Sequence, residues 1–257
     1  MPKHPISQAL SAEVFAAFRE RREARPVEET LAQFPDELVS EWRAAAELEA
    51  QEDAKRAADD KQKKIDRRIK ARLAGARIPP RYREVTYASL IAQNHPEAMS
   101  ATRDLSDLGS HAGRQGLILS GEPGNGKTTL AIAALRRFVE RTSGLWPARF
   151  FNVNRGLQAV RESFDRNDGE EDNSILDLCH CNFVVLDDLD KVGHVTRWVR
   201  DQMYTLIDTL YVQERRIIVT TNLATEDLFE HLDESLASRL MEMCAEVQMA
   251  PHDYRAA

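Results

Sequence analysis

Residues 121–128 read Gly121-Glu122-Pro123-Gly124-Asn125-Gly126-Lys127-Thr128, and Thr129 follows them. This run fits the pattern G-x-x-x-x-G-K-[ST], which is typical of a loop that binds a chain of phosphates. Its glycines allow the backbone to fold tightly, so that several N–H groups point into one concavity. A chance glycine-rich turn is the alternative, and it can be judged from the residues on either side.

The loop lies between a short apolar run at 116–120 and a helical pattern that continues to about residue 142. A strand–loop–helix unit is the context in which this pattern binds nucleotides, and the helix N-terminus adds to the attraction for phosphate. In such a unit Lys127 reaches the β- and γ-phosphates, and the Thr128 hydroxyl binds Mg²⁺. The sequence therefore predicts that residues 121–129 bind ATP together with Mg²⁺.

A second apolar run ends in two carboxylates. Residues 183–186 are apolar, and Asp187 and Asp188 follow directly. In open α/β sheets, ligands bind at the carboxyl ends of the strands. We therefore expect Asp187 to hold Mg²⁺ and Asp188 to orient the water that attacks the γ-phosphate. An acidic loop without function is the alternative, because Asp190 continues the acidic run.

Two further residues complete the set of candidate catalytic groups, and one of them follows a third apolar run. Asn222 comes shortly after residues 217–219, where its amide can bond both the attacking water and the γ-phosphate. Its alternative role is that of a helix N-cap. Arg239 lies in a predicted helix, from which it can stabilise transition-state charge on the γ-phosphate of a neighbouring subunit. The alternative is an ordinary surface arginine.

Short apolar strands alternate with helical patterns from residue 96 onwards, which predicts a parallel sheet covered on both faces and hence an α/β fold. The strands are expected near residues 117–120, 148–153, 182–187 and 216–221, and the helices near 96–108, 127–142, 155–165, 173–179 and 197–213. Ahead of these elements, residues 78–90 are expected to be extended, because Pro79 and Pro80 exclude helix.

The first 75 residues predict a different kind of structure. Residues 1–48 read as a small all-α N-terminal module with a helix at 11–25, and residues 49–75 read as a charged linker helix that ends at Gly75, a favourable C′ residue. Because the module has few apolar residues for an independent fold, we expect its exposed face to bind a partner or the main domain. A solvated linker without further function is the alternative for the charged helix. Residues 76–257 would form the ATPase domain.

Charge limits the contacts that this chain can make with nucleic acids. The net charge is −7, whereas residues 1–75 contain fifteen basic and fifteen acidic residues. Residues 76–257 therefore carry the whole negative balance, so any contact with nucleic acid requires a local basic patch and is sensitive to salt.

Composition also argues against a membrane or disulfide-bonded protein. No apolar run approaches the ~20 residues that cross a bilayer, and no secretory signal is visible, so we expect a soluble, cytoplasmic protein with no membrane partner. The run Cys179-His180-Cys181 lacks the second pair of ligands that a zinc site needs. These cysteines and Cys244 are accordingly expected to be reduced thiols.

Taken together, the motifs resemble those of the AAA+ ATPases, and in particular of the DnaC/IstB-like branch. The similar stretches lie within residues 76–257, at 78–83, 121–128, 186–191, 198–204, 220–223 and 238–240. The resemblance implies a P-loop AAA+ three-layer parallel sheet without a C-terminal lid domain. It assigns Lys127 and Thr128 to Walker A, Asp187 and Asp188 to Walker B, Asn222 to sensor 1 and Arg239 to the arginine finger. Asp188 stands where many AAA+ enzymes have glutamate.

Members of this branch load replicative helicases or assist transposases. The resemblance implies an ATP-dependent loader of a DnaB-type replicative helicase onto single-stranded DNA during replication initiation. The helicase would bind the N-terminal module, and the subunits would associate through their ATP sites. The alternatives are an IstB-like ATPase that assists a transposase and a nucleotide-gated switch with little hydrolysis.

One segment of the ATPase domain is a candidate for contact with DNA. Residues 154–179 match the region that contacts single-stranded DNA in related proteins, and they contain Arg155, Arg161, Phe164 and Arg166. Cations mixed with an aromatic residue suit backbone tracking and base stacking. The acidic residues at 170–172 oppose this interpretation, and an ordinary amphipathic helix and loop is the alternative.

Overall fold

The computed structural model describes residues 35–90, 95–158, 174–191, 197–232 and 234–251. Contacts between Cα atoms divide the chain into two compact units, Met1–Lys61 and Gln62–Ala257. The helix predicted at 11–25 lies outside the described residues.

A five-stranded, all-parallel sheet forms the centre of the second unit. Its strands lie in the order β2-β3-β4-β1-β5. Their bounds are Gly116–Ser120 (β1), Ala148–Asn152 (β2), Phe183–Asp187 (β3), Arg216–Thr220 (β4) and Cys244–Gln248 (β5). The sheet confirms the predicted α/β class and the four predicted strands. The sequence interpretation missed β5, because this strand begins directly after a helix with no turn residue to mark its start.

Within the described residues the chain forms eight α-helices. They are α1 (Asp36–Gly75), α2 (Pro96–Ser106), α3 (Lys127–Arg141), α4 (153–158), α5 (Ser174–Cys179), α6 (Arg197–Val212), α7 (Thr225–His231) and α8 (Glu234–Met243). The helices predicted near 96–108, 127–142, 173–179 and 197–213 are therefore present. The helix predicted at 155–165 begins earlier, and its part beyond residue 158 lies outside the described residues.

The sheet separates two apolar clusters, and β1 contributes to both. Leu117 and Leu119 belong to the cluster that contains α2 and α3, whereas Ile118 belongs to the cluster that contains α6 and α8. All three side chains are buried. Successive side chains of a strand point to opposite faces, so a strand that is buried on both sides is apolar throughout. The two clusters hold the carboxyl ends of the strands, and the loops that follow them, in fixed positions.

The C-terminal part of helix α1, from Gln62 to Gly75, belongs to the second unit. Its residues Ile69 and Leu73 pack against the cluster that contains α3. The helix ends at Gly75, as the sequence predicts, but the left-handed residue beyond it is Arg77, with φ 57°. The boundaries proposed for the N-terminal module and the linker, at residues 48 and 75, remain predictions.

The segment that leads into the ATPase domain corrects one expectation. Instead of being extended throughout 78–90, it contains two 3₁₀ turns, Pro80–Tyr82 and Tyr87–Ser89. Pro80 occupies the first position of the first turn, where no backbone N–H is needed and the φ imposed by the ring is already helical. The prolines therefore exclude a continuing helix without excluding a single turn.

Candidate nucleotide-binding site

The predicted phosphate-binding loop joins β1 to α3. Gly126 precedes the helix with φ 90°, a left-handed conformation that favours glycine. At Gly121, with φ 138°, an added Cβ would lie 2.6 Å from both Asn125 Nδ2 and the Met249 carbonyl oxygen. Only glycine is therefore compatible with this close approach. The resulting turn brings the N-terminus of α3 to the carboxyl edge of the sheet.

The ammonium group of Lys127 lies beneath this loop. Its Nζ donates hydrogen bonds to the carbonyl oxygens of Gly121 at 2.7 Å and Glu122 at 2.8 Å, and to Asn125 Oδ1 at 3.1 Å. Asn125, which is fully buried, also donates through Nδ2 to the Met249 carbonyl oxygen at 3.4 Å. These bonds tie the loop to the end of β5 and place a buried cation next to the phosphate concavity.

Asp187 connects the loop to the end of β3. Its Oδ1 accepts a hydrogen bond of 2.7 Å from the Thr128 hydroxyl and one of 2.9 Å from the Thr220 hydroxyl. Only 4% of Asp187 is exposed. The structure thus brings together the two residues that the sequence assigns to Mg²⁺.

Two residues that sequence reasoning missed hold the acidic pair. Asn152, at the end of β2, donates through Nδ2 to Asp187 at 3.0 Å and to Asp188 at 3.3 Å. Thr220, at the end of β4, accepts the backbone N–H of Asp188 at 3.0 Å. The sheet order explains both contacts, since β3 lies between β2 and β4. The available signal was a polar residue directly after each apolar run.

Asp188 adopts a left-handed backbone conformation with φ 59°. Such a conformation is uncommon for a residue with a Cβ, and strained backbone clusters at functional sites. Asp188 lines the same cleft as the loop, whereas the preceding Asp187 is buried beneath it. The two neighbouring carboxylates therefore differ in their access to the cleft.

Asn222 lies in the same cleft, held by a third carboxylate. Its backbone N–H and its Nδ2 each donate to an oxygen of Asp190, both at 3.1 Å. It is not the N-cap of α7, because that position is occupied by Ala224. This arrangement removes the N-cap alternative and identifies Asp190 as the residue that orients the Asn222 amide. Sequence reasoning had treated Asp190 only as part of an acidic run.

These side chains line a cleft of about 430 Å³ that runs from the P-loop towards the segment preceding β1. Among its lining residues are Arg81, Tyr82, Leu90, His95, Met99, the run from Pro123 to Leu130, Asp188, Asn222 and Met249. Of the predicted nucleotide-binding residues, Gly121 and Glu122 do not line the cleft and instead provide carbonyl oxygens to Lys127. A second cavity of about 550 Å³ lies among α7, α8 and Arg114, and it shares no lining residue with the cleft.

Arg239 does not line the cleft of its own chain. On α8, its Nε donates to Asp208 Oδ1 at 2.7 Å, and its guanidinium carbon lies 4.8 Å from the centre of the Tyr204 ring. The hydrogen bond with Asp208 raises the pKa of Arg239. The predicted finger is thus a fixed cation away from the chain's own P-loop, a position that suits either action on a neighbouring subunit or an internal structural role.

The donor set fits Mg-ATP. Mg²⁺ prefers oxygen ligands and is usually held by one or two carboxylates together with substrate phosphates. Asp187 and Thr128 offer a carboxylate and a hydroxyl 2.7 Å apart, directly beside the glycine-built concavity. These two residues would hold the ion, whereas Lys127 and the loop N–H groups would hold the phosphates.

The cysteines form no such site. Cys181 and Cys244 are buried and Cys179 is half-buried, and all three are free thiols. Burial raises the pKa of each thiol, which disfavours the thiolate form that binds metals. Among the described residues, no group of three or more His, Cys, Asp or Glu side chains is arranged to hold a metal ion. Nor does the part of the chain that the structure describes contain a helix that is long and apolar enough to span a membrane.

Most of the segment proposed to contact DNA, 154–179, lies outside the described residues. Arg161, Phe164 and Arg166 lie outside the described residues, whereas Arg155 is described and exposed, near the start of α4. Its backbone N–H donates to Asn152 Oδ1 at 3.2 Å. The role proposed for this segment therefore remains a prediction.

Fold and site together define a P-loop ATP-binding domain of the AAA+ type. The model of the family described as IstB-like ATP binding protein matches residues 31–257, and the chain belongs to that family. This confirms the resemblance derived from the motifs. The match also begins well before residue 76 and so includes all of α1, which the motif comparison had left out.

Three individual proteins that resemble the chain are 18–24% identical to it over the aligned residues. The phage-like element PBSX protein XkdC of Bacillus subtilis (strain 168) is 23% identical over 70% of this chain and 70% of its own length. A crystal structure of the DnaC helicase loader is 24% identical, with a TM-score of 0.55, over 67% of this chain and 100% of that one. Replication initiator DnaA, in a structure bound to AMPPCP and single-stranded DNA, is 18% identical, with a TM-score of 0.54, over 68% of this chain and 52% of that one. At these identities the structural matches establish the fold alone.

Proposed function

We propose that the chain is an ATP-hydrolysing loader that places a DnaB-type replicative helicase on single-stranded DNA in the cytoplasm. One observation carries the hydrolytic part of this proposal: Thr128, Asp188 and Asn222 line one cleft, and Asp187 is bonded to Thr128 beside it. A site that only held phosphate would need neither a second carboxylate nor an oriented amide.

In the proposed reaction, Lys127 and the N–H groups of the P-loop hold the β- and γ-phosphates of ATP. Asp188 accepts a hydrogen bond from the attacking water and takes up its proton, while the Asn222 amide, held by Asp190, orients that water towards the γ-phosphate. When bound at Thr128 and Asp187, Mg²⁺ neutralises charge on the phosphates. Arg239 of a neighbouring subunit completes the charge stabilisation, so subunits associate through their ATP sites.

Two features support the step from ATP hydrolysis to helicase loading. The fold is shared with the whole of a DnaC helicase loader chain. In addition, α1 continues from Gly75 back to Asp36, and a further 35 residues precede that helix in the sequence. We propose that these N-terminal residues bind the helicase and that the ATP state of the cleft controls the assembly.

A pull-down with a DnaB-type replicative helicase tests this proposal. The full chain should retain the helicase, whereas residues 62–257 should not. Truncation before Gln62 keeps Ile69 and Leu73, which pack against the core, so the ATP site is left intact. Binding of ATP by residues 62–257 provides the control. Equal retention of helicase by both chains, or by neither, contradicts the proposal.

The family match supports a second candidate, an ATPase that assists a transposase, because the family model is described by its IstB-like members. This candidate shares the cleft and differs in partner and in DNA substrate. It predicts tighter binding to duplex than to single-stranded DNA, and retention of a transposase in the same pull-down. Preference for single strands together with retention of helicase decides in favour of the loader.

A further inference from the structure

Charge is distributed very unevenly along α1. Residues 36–60 contain nine carboxylates and three cations, whereas residues 62–75 contain six cations and a single carboxylate, Asp66. The second set belongs to the unit that contains the ATP site. A chain with net charge −7 therefore presents a concentrated positive surface at the end of this helix.

The six cations of residues 62–75 fall into two groups. Arg68 and Arg72 donate to carbonyl oxygens of the loop between α3 and β2, Arg68 to Ser143 at 2.6 Å and Arg72 to Gly144 at 3.3 Å. These bonds satisfy carbonyl groups that follow the end of α3, and they fix this part of α1 against the domain. The two arginines are therefore structural anchors.

The remaining four cations form what we term the basic stripe: Lys63, Lys64, Arg67 and Lys70. All four side chains are exposed. At 3.6 residues per turn they lie on the side of α1 turned away from Ile69 and Leu73, and they span about 10 Å of the helix. Ala71 and Ala74 are the other residues of this side, so the stripe is flanked by no large apolar group of its own helix.

A partly exposed aromatic residue follows the loop to which Arg72 is bonded. Arg72 also donates to the Leu145 carbonyl oxygen at 3.4 Å, and Trp146 follows Leu145 in the chain. Trp146 is 40% exposed, and its ring centre lies 6.1 Å from that of Phe138. A partly exposed ring held by a buried one provides a platform on which a base can stack.

We propose that the basic stripe, together with Trp146, binds the phosphodiester backbone of a single-stranded nucleic acid. This inference rests on the proposed function only in naming a nucleic acid among the partners. It locates the contact on residues 63–70 of α1, none of which lines the ATP cleft.

A polyanion fits the stripe better than a protein does. The acidic residues 36–60 of a second copy are the complementary protein surface, but exposed ion pairs contribute little and are screened by salt. A stable helix–helix contact also requires a continuous apolar seam. The stripe has no such seam, because Ile69 and Leu73 face the core. Counterion release from a nucleic acid requires cations alone.

Two matched triple variants test the proposal. In the first, Lys64→Gln, Arg67→Gln and Lys70→Gln neutralise the stripe. In the second, Arg43→Gln, Lys55→Gln and Arg56→Gln remove the same charge from the acidic part of the same helix. Glutamine has a helix propensity close to that of lysine and arginine, so α1 should remain folded, and circular dichroism verifies this.

Affinity for a fluorescein-labelled oligothymidine is measured by anisotropy between about 50 and 200 mM salt. Neutralising the stripe should weaken binding at least tenfold at the lowest salt, and it should reduce the slope of log K against log [salt] by about 2. The second triple variant should bind within about threefold of wild type. Absence of wild-type binding at low salt, or equal loss in both triple variants, overturns the proposal.

Two further measurements separate this inference from the alternatives. Trp146→Leu, which retains an apolar contact with Phe138, should weaken oligothymidine binding several-fold and leave duplex binding unchanged. Equal or tighter binding of duplex by wild type overturns the assignment to single strands. Sedimentation velocity identifies the competing partner: loss of self-association in the stripe variant, with nucleic acid binding retained, assigns the stripe to a second copy.

The stripe variant should hydrolyse ATP at the wild-type rate, because none of its residues lines the cleft. If the helicase pull-down fails while the stripe variant loses oligothymidine binding, the proposed loader function is wrong and the inference stands. If helicase is retained and the two triple variants bind oligothymidine equally, the inference alone is wrong.

Discussion

The Thr128 hydroxyl donates a hydrogen bond to Asp187 Oδ1 over 2.7 Å, and this contact joins the first turn of α3 to the end of β3. The hydroxyl and carboxylate oxygens that would bind Mg²⁺ thus come from two different elements and already contact each other. Thr220 and Asn152 donate to the same carboxylate and fix its orientation. Four residues, Thr128, Asp187, Asn152 and Thr220, therefore position the oxygen atoms of the magnesium site inferred from the sequence.

Removal of the Thr128 hydroxyl should selectively reduce the contribution of Mg²⁺ to nucleotide binding. For Thr128→Val, we expect the ratio of ATP affinities measured with Mg²⁺ and with EDTA to fall about tenfold, or ~1.4 kcal/mol. Titration with a fluorescent ATP analogue measures this ratio. Thr128→Ser retains the hydroxyl and should behave nearly as wild type. An equal loss of affinity in both buffers would show that Thr128 has no role in holding the ion.

Substitution of Asp188 should lower the rate of ATP hydrolysis and leave the affinity for ATP nearly unchanged. For Asp188→Asn, we expect phosphate release to fall at least about a hundredfold, because a positioned general base contributes ~10²–10⁴ in rate. The affinity for Mg-ATP should stay within about threefold of wild type. Phosphate release at the same low rate from wild type and the variant would instead support a nucleotide-gated switch.

Asp190 and Asn222 should act as one unit. Since two hydrogen bonds of 3.1 Å connect them, the effects of Asp190→Ala and Asn222→Ala on kcat should not be additive. Residues in contact typically show coupling energies of ~0.5–3 kcal/mol, and we expect the double variant to be little slower than Asn222→Ala alone. Additive losses in this double-mutant cycle would mean that Asp190 does not orient the amide.

Arg239 should complete the site of a neighbouring subunit. Arg239→Ala and Asp188→Asn are each expected to be nearly inactive, but mixing them creates interfaces that have both intact residues. Activity should therefore return to roughly a quarter of wild type, the share expected from random pairing.

Asp208→Asn is the matched control for an internal role, because Asp208 holds the Arg239 guanidinium at 2.7 Å. If Arg239 only stabilises the fold, Asp208→Asn and Arg239→Ala should lower the melting temperature alike. Mixing Arg239→Ala with Asp188→Asn should then restore no ATPase activity.

Gly144 should be essential for the close approach of α1 to the loop after α3. Its φ is 68°, and an added Cβ would lie 2.9 Å from the backbone of Arg68 and Ile69. Gly144→Ala should therefore destabilise the domain by about 1–3 kcal/mol, which lowers Tm by several degrees at this size. Gly75→Ala is the control, since nothing lies within 4 Å of its added Cβ, and it should leave Tm nearly unchanged. Equal melting temperatures would argue against the tight contact.

The local sequence pattern was sufficient to predict those site residues that lie next to one another in the chain. The P-loop and the acidic pair after β3 are of this kind, because one strand and the turn that follows it place them. Asn152, Thr220 and Asp190 could not be found in this way. Their partners lie more than thirty positions away in the chain, and the contacts depend on the sheet order β2-β3-β4.

The environment of Arg239 was unpredictable for a similar reason. Its ion pair with Asp208 joins α8 to α6, and no sequence periodicity indicates that these two side chains meet. The strand β5 was missed because no turn residue separates it from α8. Long-range pairing, and not the type of local structure, limited the sequence interpretation.

Loading of a ring helicase onto a closed single-stranded DNA circle tests the central claim most directly. A closed circle has no end on which a ring can thread, so stable association requires that the ring be opened. Helicase that co-elutes with the circle in gel filtration is measured with ATP, with and without the chain. The account predicts helicase on the circle only when wild-type chain is present, and a large reduction with Thr128→Val. Equal amounts of helicase on the circle with and without the chain would contradict it.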